Sequence, residues 1–362
     1  MTTSSADSAF LHQRSDLVTS LRGHKIEVPD ILAIYQGWTV RKHPDTNELR
    51  EDLECFYKTY IPTDEQRNKA RKVDSALFAG TFWTAVAKDK FEVLCNLMAW
   101  FFFWDDEIDC GSLTNDRERT EAYINDTIAF LKCCLQPELN TSFPIPGRLH
   151  NTGPFIGIGK AMLVGQSLED RNRFAESLYA YFEAVRASQA QRLVGVQALD
   201  AYIERRVESI ASRPCLAILP WAYSLTIPSW IWDHEATKRL IREVAFGVFL
   251  ANDIASVKKE LENDDVDSII PILVYEKGVS AQQAADIVIK MMTQSYQDFL
   301  AAGDCLRQAV SREGQSVMQD MNIFIDSCLD VIVGNALSSM IAPRYLARTA
   351  FSGMGYKFTI VL

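Results

Sequence analysis

Helical periodicity runs through most of this 362-residue chain, and it limits the fold more than any other feature of the sequence. Apolar residues recur at positions i, i+3, i+4 and i+7, which is the spacing of one face of an α-helix. Segments with the alternating pattern of a β-strand are scarce. The periodic segments are 63–89, 91–110, 117–136, 168–193, 196–218, 233–262 and 279–309. We therefore expect an all-α fold.

The composition is that of a globular protein with a large core, since 48% of the residues are hydrophobic and 23% are charged. No internal repeat, low-complexity tract or shift in composition divides the chain. Residues 1–27 are polar and rich in Ser and Thr, and we expect them to be disordered. The rest of the chain, 28–362, is expected to form one domain.

Charge, cysteine spacing and hydropathy exclude several classes of partner. The formal net charge of −10 disfavours nucleic acid, whose binding needs a basic face. The eight cysteines show no CxxC pair and no Cys/His metal spacing, which is typical of reduced thiols in a cytoplasmic protein. The apolar run 97–104 is too short to span a membrane. We expect neither a nucleic-acid nor a membrane partner.

An aromatic run, WFFFW at 100–104, meets the acidic stretch DDEID at 105–109. On a helix Asp105 and Asp109 are i and i+4, within about 40° of each other around the axis. Met98, Phe101 and Phe102 share that face below them. Two adjacent carboxylates stay ionised at low dielectric only beside a cation, and oxygen ligands suit Mg²⁺. The alternative is a solvated helix end above an aromatic core.

A second polar stripe occurs in FLANDIASVKKE at 249–260. Asn252, Ser256 and Glu260 are spaced i, i+4 and i+8, so they lie on one face of one helix. An amide, a hydroxyl and a carboxylate together offer oxygen ligands to one hard divalent ion. The preceding residues are strongly apolar, which indicates that the stripe faces inward, where such groups need partners.

The two stripes together resemble the paired metal motifs of class I terpene synthases, and most closely those of fungal single-domain sesquiterpene cyclases. The resemblance covers about residues 28 to 346. It implies the α-helical terpenoid-synthase fold, a helical barrel around an apolar pocket. It also implies Mg²⁺-dependent cyclisation of a linear isoprenoid diphosphate, most simply farnesyl diphosphate, by a monomer or homodimer. The alternatives are a diterpene cyclase acting on geranylgeranyl diphosphate, a trans-prenyltransferase and a helical binding protein without activity.

Further site residues follow from the resemblance. The family carries a diphosphate-sensing arginine about 46 positions before its Asn, and Arg206 stands there. The family also ends a late helix with Arg-Tyr, matched by Arg344 and Tyr345. With Lys259, these residues would bind diphosphate oxygens. Three Mg²⁺ ions are implied, held by Asp105, Asp109, Asn252, Ser256 and Glu260.

The apolar chamber is expected to be lined by Met98, Phe101 and Phe102. Ser209 and Ile210 occupy the positions where the family breaks its sensor helix, and Pro214 favours a break here. Ser338 stands where relatives often carry tryptophan, and we expect it to line the chamber as well. Its alternative placement is against a neighbouring helix.

Overall fold

The computed structural model describes residues 5–139, 152–192, 195–346, 351 and 355–362, with side chains described from His12 onward. Helices dominate these residues, as the periodicity predicts. The first half contains α1 (Ser5–Leu21), α2 (Thr46–Tyr60), α3 (Asp64–Val73), α4 (Ser75–Phe82), α5 (Lys88–Asp109), α6 (Arg117–Leu135), α7 (Phe155–Met162) and α8 (Leu168–Arg192). The second half contains α9 (Leu199–Ser209), α10 (Ser212–Ala217), α11 (Leu219–Tyr223), α12 (Ser229–Asp233), α13 (Glu235–Glu262), α14 (Ile269–Lys277), α15 (Ala281–Ala309) and α16 (Gln315–Ile341). Two short 3-10 helices span Ile31–Ile34 and Pro137–Leu139.

The prediction of disorder at 1–27 is wrong for the described part of that segment. It holds α1 and a strand, β1 (Lys25–Val28), which pairs antiparallel with β2 (Phe358–Val361) near the other end of the chain. Leu17 and Leu21 of α1 are buried, and so are Ile26 and Val28 at alternate positions of β1. The segment is polar on average, but these four residues pack into the core.

Two of the predicted helices are interrupted. The segment 63–89 is divided by Asp74, which has a φ of 56° and whose carboxylate caps α4 by accepting from the amide of Leu77. The segment 196–218 is divided after Ser209 by Ala211, which has a φ of 59°. Pro214 has no amide hydrogen to donate to the carbonyl of Ile210, so a continuous helix loses a bond there.

The final long helix, α16, is apolar and long enough to cross a membrane. However, 83% of its most apolar 18-residue stretch is buried inside the protein. It packs against α13, α15 and α4. Its contact with α4 depends on Gly334, because a Cβ added there would lie 2.6 Å from the carbonyl oxygen of Thr81. The apolar character of α16 is therefore that of a core helix.

Candidate active site

One cavity of about 190 Å³ opens between the helices and collects nearly all of the predicted site residues. Its wall is formed by α4, α5, α8, α9, α10, α13 and α16 and by the segment after α16. The predicted residues in its lining are Asp105, Asp109, Asn252, Ser256, Glu260, Arg206, Lys259, Arg344, Tyr345, Met98, Phe101, Phe102, Ser209 and Ile210. Ser338 is not among the lining residues.

Each acid of the first motif is held by a partner on another part of the chain. Tyr181 on α8 donates to Asp105 at 3.0 Å. Arg344 donates twice to Asp106, at 2.9 and 2.5 Å, in the bidentate geometry of a strong pair. Arg192, the last residue of α8, donates to Asp109 at 2.5 Å. These bonds fix where the end of α5 points its carboxylates.

Burial and the neighbouring charges separate the pKa values of Asp105 and Asp109. Burial, with the negative charges of Asp109 and Asp106, raises the pKa of Asp105 well above its ordinary value. Burial acts on Asp109 in the same direction, but the charge and hydrogen bond of Arg192 outweigh it and lower its pKa. A carboxylate that is desolvated beside other anions, as Asp105 is, favours a bound cation.

The second motif lies on α13 and is organised largely within that helix. Ser256 donates to the Oε1 atom of Glu260 at 2.6 Å, and the Oε2 atom of Glu260 is buried with no hydrogen-bond partner among the described residues. Burial, followed by the charges of Asp253 and Asp265, raises the pKa of Glu260. The Oδ1 atom of Asn252 accepts from Arg206 at 2.9 Å. An unpartnered buried carboxylate oxygen needs a proton or a cation.

Asp253, to which the sequence assigned no ligand role, supports the second motif from below. It is 1% exposed and accepts from the hydroxyl of Tyr202 and, at 3.1 Å, from the amide of Ile269. Arg206 also donates to it at 3.3 Å. Asp253 therefore holds Arg206 against Asn252 and does not face solvent.

Two arginines in the lining were missed by the sequence analysis. Arg192 joins Asp109 to Asp265, whose carboxylate lies 3.4 Å away. Arg205 donates to both oxygens of Asp267, at 2.7 and 2.8 Å. Both acids belong to the connection that follows α13. No local pattern marks either arginine, because each is defined by partners far away in the chain.

The aromatic run divides between the cavity and the core, as its helical spacing requires. Phe101 and Phe102 line the cavity with Met98. Trp100 turns away and packs edge-on against Phe155, with ring centroids 4.9 Å apart. Trp104 likewise packs against another ring of the core. Phe78 and Phe82 on α4 add two further rings to the cavity wall, so its floor is aromatic and apolar.

The expectation that Ser338 lines the chamber is wrong. Its side chain is fully buried, and its hydroxyl lies 3.0 Å from the hydroxyl of Thr81 on α4. The close approach at Gly334, one helical turn earlier, brings α4 over this face of α16. The alternative placement, against a neighbouring helix, is the one observed.

The donor set fits a divalent cation held in an open site. Carboxylate, amide and hydroxyl oxygens from α5 and α13 face one cavity, and these are the ligands of Mg²⁺. Within the ranges described above, no three His, Cys, Asp or Glu side chains form a closed metal-binding group. The second motif contributes only one such residue, and the acids of the first are held by separate partners. Ligands from outside the protein would complete such a site.

Comparison with known proteins identifies the family. Residues 96–298, more than half of the chain, match the model of terpene synthase family 2, C-terminal metal binding. The chain belongs to this family. It is an enzyme of the class I terpene cyclase type, and the matched residues include both oxygen-rich motifs. Membership implies that this terpene cyclase binds a divalent metal and acts on an isoprenoid diphosphate.

Curated relatives cover nearly the full length of the terpene cyclase. The terpene cyclase braA of Annulohypoxylon truncatum is 25% identical over 353 residues, covering 96% of this chain and 93% of the relative. The silphinene synthase peniA of Penicillium patulum is 24% identical, covering 90% and 87%. The sesquiterpene cyclase hepA of Aspergillus oryzae is 23% identical, covering 94% of this chain and 94% of that relative.

Solved structures confirm the fold. A wild-type cucumene synthase superposes with a TM-score of 0.70 at 18% identity, covering 84% of this chain and 98% of that structure. A hedycaryol synthase in complex with HEPES superposes with a TM-score of 0.71 at 18% identity, covering 87% and 98%. The helical barrel around an apolar pocket is therefore confirmed, whereas the assignment of individual residues rests on the geometry above.

Proposed function

We propose that this terpene cyclase ionises farnesyl diphosphate with the help of Mg²⁺ and cyclises it to a sesquiterpene. The observation that carries the proposal is the cavity itself. Two oxygen-rich motifs and several cationic side chains face one space, and Met98, Phe101 and Phe102 line the same space with apolar and aromatic surface. The names of the relatives, several of them sesquiterpene cyclases, support a fifteen-carbon substrate.

The residues of the two motifs would hold the metal. Asp105, with Asp109 beside it, would hold metal from α5, and Asn252, Ser256 and Glu260 would hold it from α13. Three Mg²⁺ ions, when bound, would neutralise the charge that develops on the departing diphosphate. The buried, unpartnered Oε2 atom of Glu260 and the desolvated carboxylate of Asp105 support these two positions.

The cationic side chains would bind the diphosphate oxygens. Arg206, Lys259 and Arg344 line the same cavity as the metal motifs, and the neutral Tyr345 lines it with them. Arg344 is already oriented by its bidentate pair with Asp106, and Arg206 by Asn252 and Asp253. Charge-assisted hydrogen bonds from such fixed donors stabilise a leaving group without reorganisation during the reaction.

The aromatic part of the chamber would protect the carbocation that remains. Bulk water quenches such a cation at once, so the site must exclude solvent. The faces of Phe78, Phe82, Phe101 and Phe102 carry the negative part of the ring quadrupole and can stabilise a nearby cation. Ser209 and Ile210, at the break between α9 and α10, complete this wall.

Incubation with geranyl, farnesyl and geranylgeranyl diphosphates, with Mg²⁺ or with EDTA, tests the proposal. Gas chromatography of the extract should show cyclic fifteen-carbon products from farnesyl diphosphate, and none with EDTA. Products from geranylgeranyl diphosphate alone would identify a diterpene cyclase instead. Longer linear diphosphates would identify a prenyltransferase, and no turnover of any substrate would identify an inactive binding protein.

A further inference from the structure

One buried hydroxyl group, that of Ser212, lies in the chamber wall. Ser212, the first residue of α10, is 2% exposed and lines the cavity. Its Oγ atom has no hydrogen-bond partner among the residues that the structure describes. A buried hydroxyl without a partner costs free energy, so a group in this position needs an explanation.

Capping of the helix does not supply that explanation. Ala211 is the N-cap residue of α10, and its methyl side chain makes no capping bond. The left-handed backbone of Ala211 separates Ser212 from α9, so its hydroxyl cannot bond back along a continuous helix. Pro214 leaves the carbonyl of Ile210 without its helical donor, and Ile210 lines the cavity too. The helix break thus concentrates polar groups in one part of the wall.

A second polar side chain lies in the same lining, on α16. Asn335 is 5% exposed, and its Nδ2 atom donates to the carbonyl of Val248 at 2.9 Å. This bond fixes the amide. The Oδ1 atom accepts a long bond of 3.5 Å from Ser339, so one lone pair stays available. α10, which carries Ser212, packs against α16.

These groups match what a bound water molecule requires. A buried water makes two to four hydrogen bonds, about three on average, and it occupies polar positions in an otherwise apolar cavity. The Ser212 hydroxyl can donate and accept, the Asn335 oxygen accepts, and the neighbouring wall is formed by apolar residues such as Cys215 and Val248. Two neutral polar groups surrounded by apolar residues favour the binding of a small neutral molecule.

We propose that Ser212 and Asn335 hold one water molecule in the chamber, and that this water captures the cyclised cation, so that the main product is a sesquiterpene alcohol. This inference rests on the proposed function. A lone pair of the water oxygen would form the new C–O bond to the cationic carbon. One proton would then leave the resulting oxonium for the diphosphate released in the same turnover, so that farnesyl diphosphate and water give an alcohol and diphosphate.

Turnover of farnesyl diphosphate in ¹⁸O-labelled water tests the capture step by mass spectrometry. We expect a cyclic alcohol two mass units heavier than in ordinary water. Farnesol formed by phosphatase cleavage of the P–O bond would keep the oxygen of the substrate, so it is not confused with this product. Cyclic hydrocarbons alone would overturn the inference and leave the proposed function intact, whereas no fifteen-carbon product at all would overturn the proposed function.

Substitution of Ser212 tests the site. Ser212→Ala should lower the ratio of alcohol to hydrocarbon about fivefold, the loss expected when one hydrogen bond is removed. Ser338→Ala is the matched control, because that buried serine bonds Thr81 and lies outside the cavity lining; its product ratio should not change. An unchanged ratio in Ser212→Ala would overturn the assignment. If Ser212→Ala melts early, the isosteric Ser212→Cys, with its weaker donor, should shift the ratio in the same direction.

Discussion

The two motifs that face the cavity are organised in opposite ways. On α5, each acid is bound by a residue from elsewhere: Asp105 by Tyr181, Asp106 by Arg344 and Asp109 by Arg192. On α13, Ser256 bonds Glu260 one turn along the same helix. The first motif therefore depends on the packing of α8 and the segment after α16. In the second motif, the Ser256–Glu260 pair is built within its own helix and Asn252 is bound by Arg206 of α9. Substitution of remote partners should disturb the first motif more.

The largest effects are expected at the ligand positions themselves. Asp105→Asn and Asn252→Ala should each lower the turnover number by orders of magnitude, because each removes a charge or an oxygen from a metal that acts in the transition state. Turnover is measured with farnesyl diphosphate at low Mg²⁺. Asp286→Asn, at an exposed position of α15, is the control and should retain the parent rate. Parent-like turnover in either site variant would refute the metal assignment of that motif.

Removal of Arg192 should have the next largest effect and should act on the first motif. Arg192→Met leaves the end of α5 without the charge that orients Asp109, and loss of such a supporting group costs about 10- to 100-fold in metal affinity or activity. The concentration of Mg²⁺ needed for half-maximal rate should rise.

Arg186→Met provides the control for Arg192→Met. Arg186 lies on the same helix and donates to Asn125, and its loss should leave the Mg²⁺ requirement unchanged. If both variants need the same concentration of Mg²⁺ for half-maximal rate, the first motif does not depend on Arg192.

The tyrosines of the two motifs should differ more modestly. Tyr181→Phe removes the 3.0 Å bond to Asp105 and should raise the Mg²⁺ requirement by less than Arg192→Met does, because a neutral donor is weaker than a charged one. Tyr345 receives only a 3.4 Å bond from Asn252. Tyr345→Phe should therefore act on KM for the diphosphate and not on Mg²⁺. A raised Mg²⁺ requirement in Tyr345→Phe, with only KM changed in Tyr181→Phe, would contradict the difference between the two motifs.

The smallest effect is a pH-dependent change in stability. Because the pKa of Asp105 is raised in the fold, the metal-free protein binds a proton there more tightly than the unfolded chain does. Its stability therefore falls as pH rises from about 4, the ordinary Asp value, through the raised pKa. Asp105→Asn removes this pH-dependent loss of stability. In EDTA the variant should therefore have a higher melting temperature than the parent in alkaline buffer, and the same melting temperature near pH 4. A melting temperature lower in Asp105→Asn than in the parent in alkaline buffer would show that burial of the Asp105 carboxylate does not destabilise the protein.

The sequence was informative wherever the pattern is local. The spacings of Asp105 with Asp109 and of Asn252 with Glu260 are properties of single helices, so the face they share could be predicted. The aromatic floor followed from the same spacing. Pro214 indicated the helix break, although the left-handed backbone that makes it is at Ala211.

What the sequence could not supply depends on distant parts of the chain. Asp106 and Arg344 are separated by 238 positions, and no pattern connects them. The resemblance predicts Ser338 in the chamber because relatives often carry tryptophan there, but the close approach of α4 at Gly334 covers it. The strand β1, at the end of the segment expected to be disordered, depends on β2 at the far end of the chain.

Anomalous scattering from crystals grown with Mn²⁺ and diphosphate tests the central claim most directly. Mn²⁺ accepts the same oxygen ligands as Mg²⁺ and can be located by its own signal. The account predicts three peaks in the cavity, with at least one beside Asp105 and one among Asn252, Ser256 and Glu260. Peaks at only one motif, or manganese bound only at surface acids outside the cavity, would contradict the claim that the two motifs act together on the diphosphate.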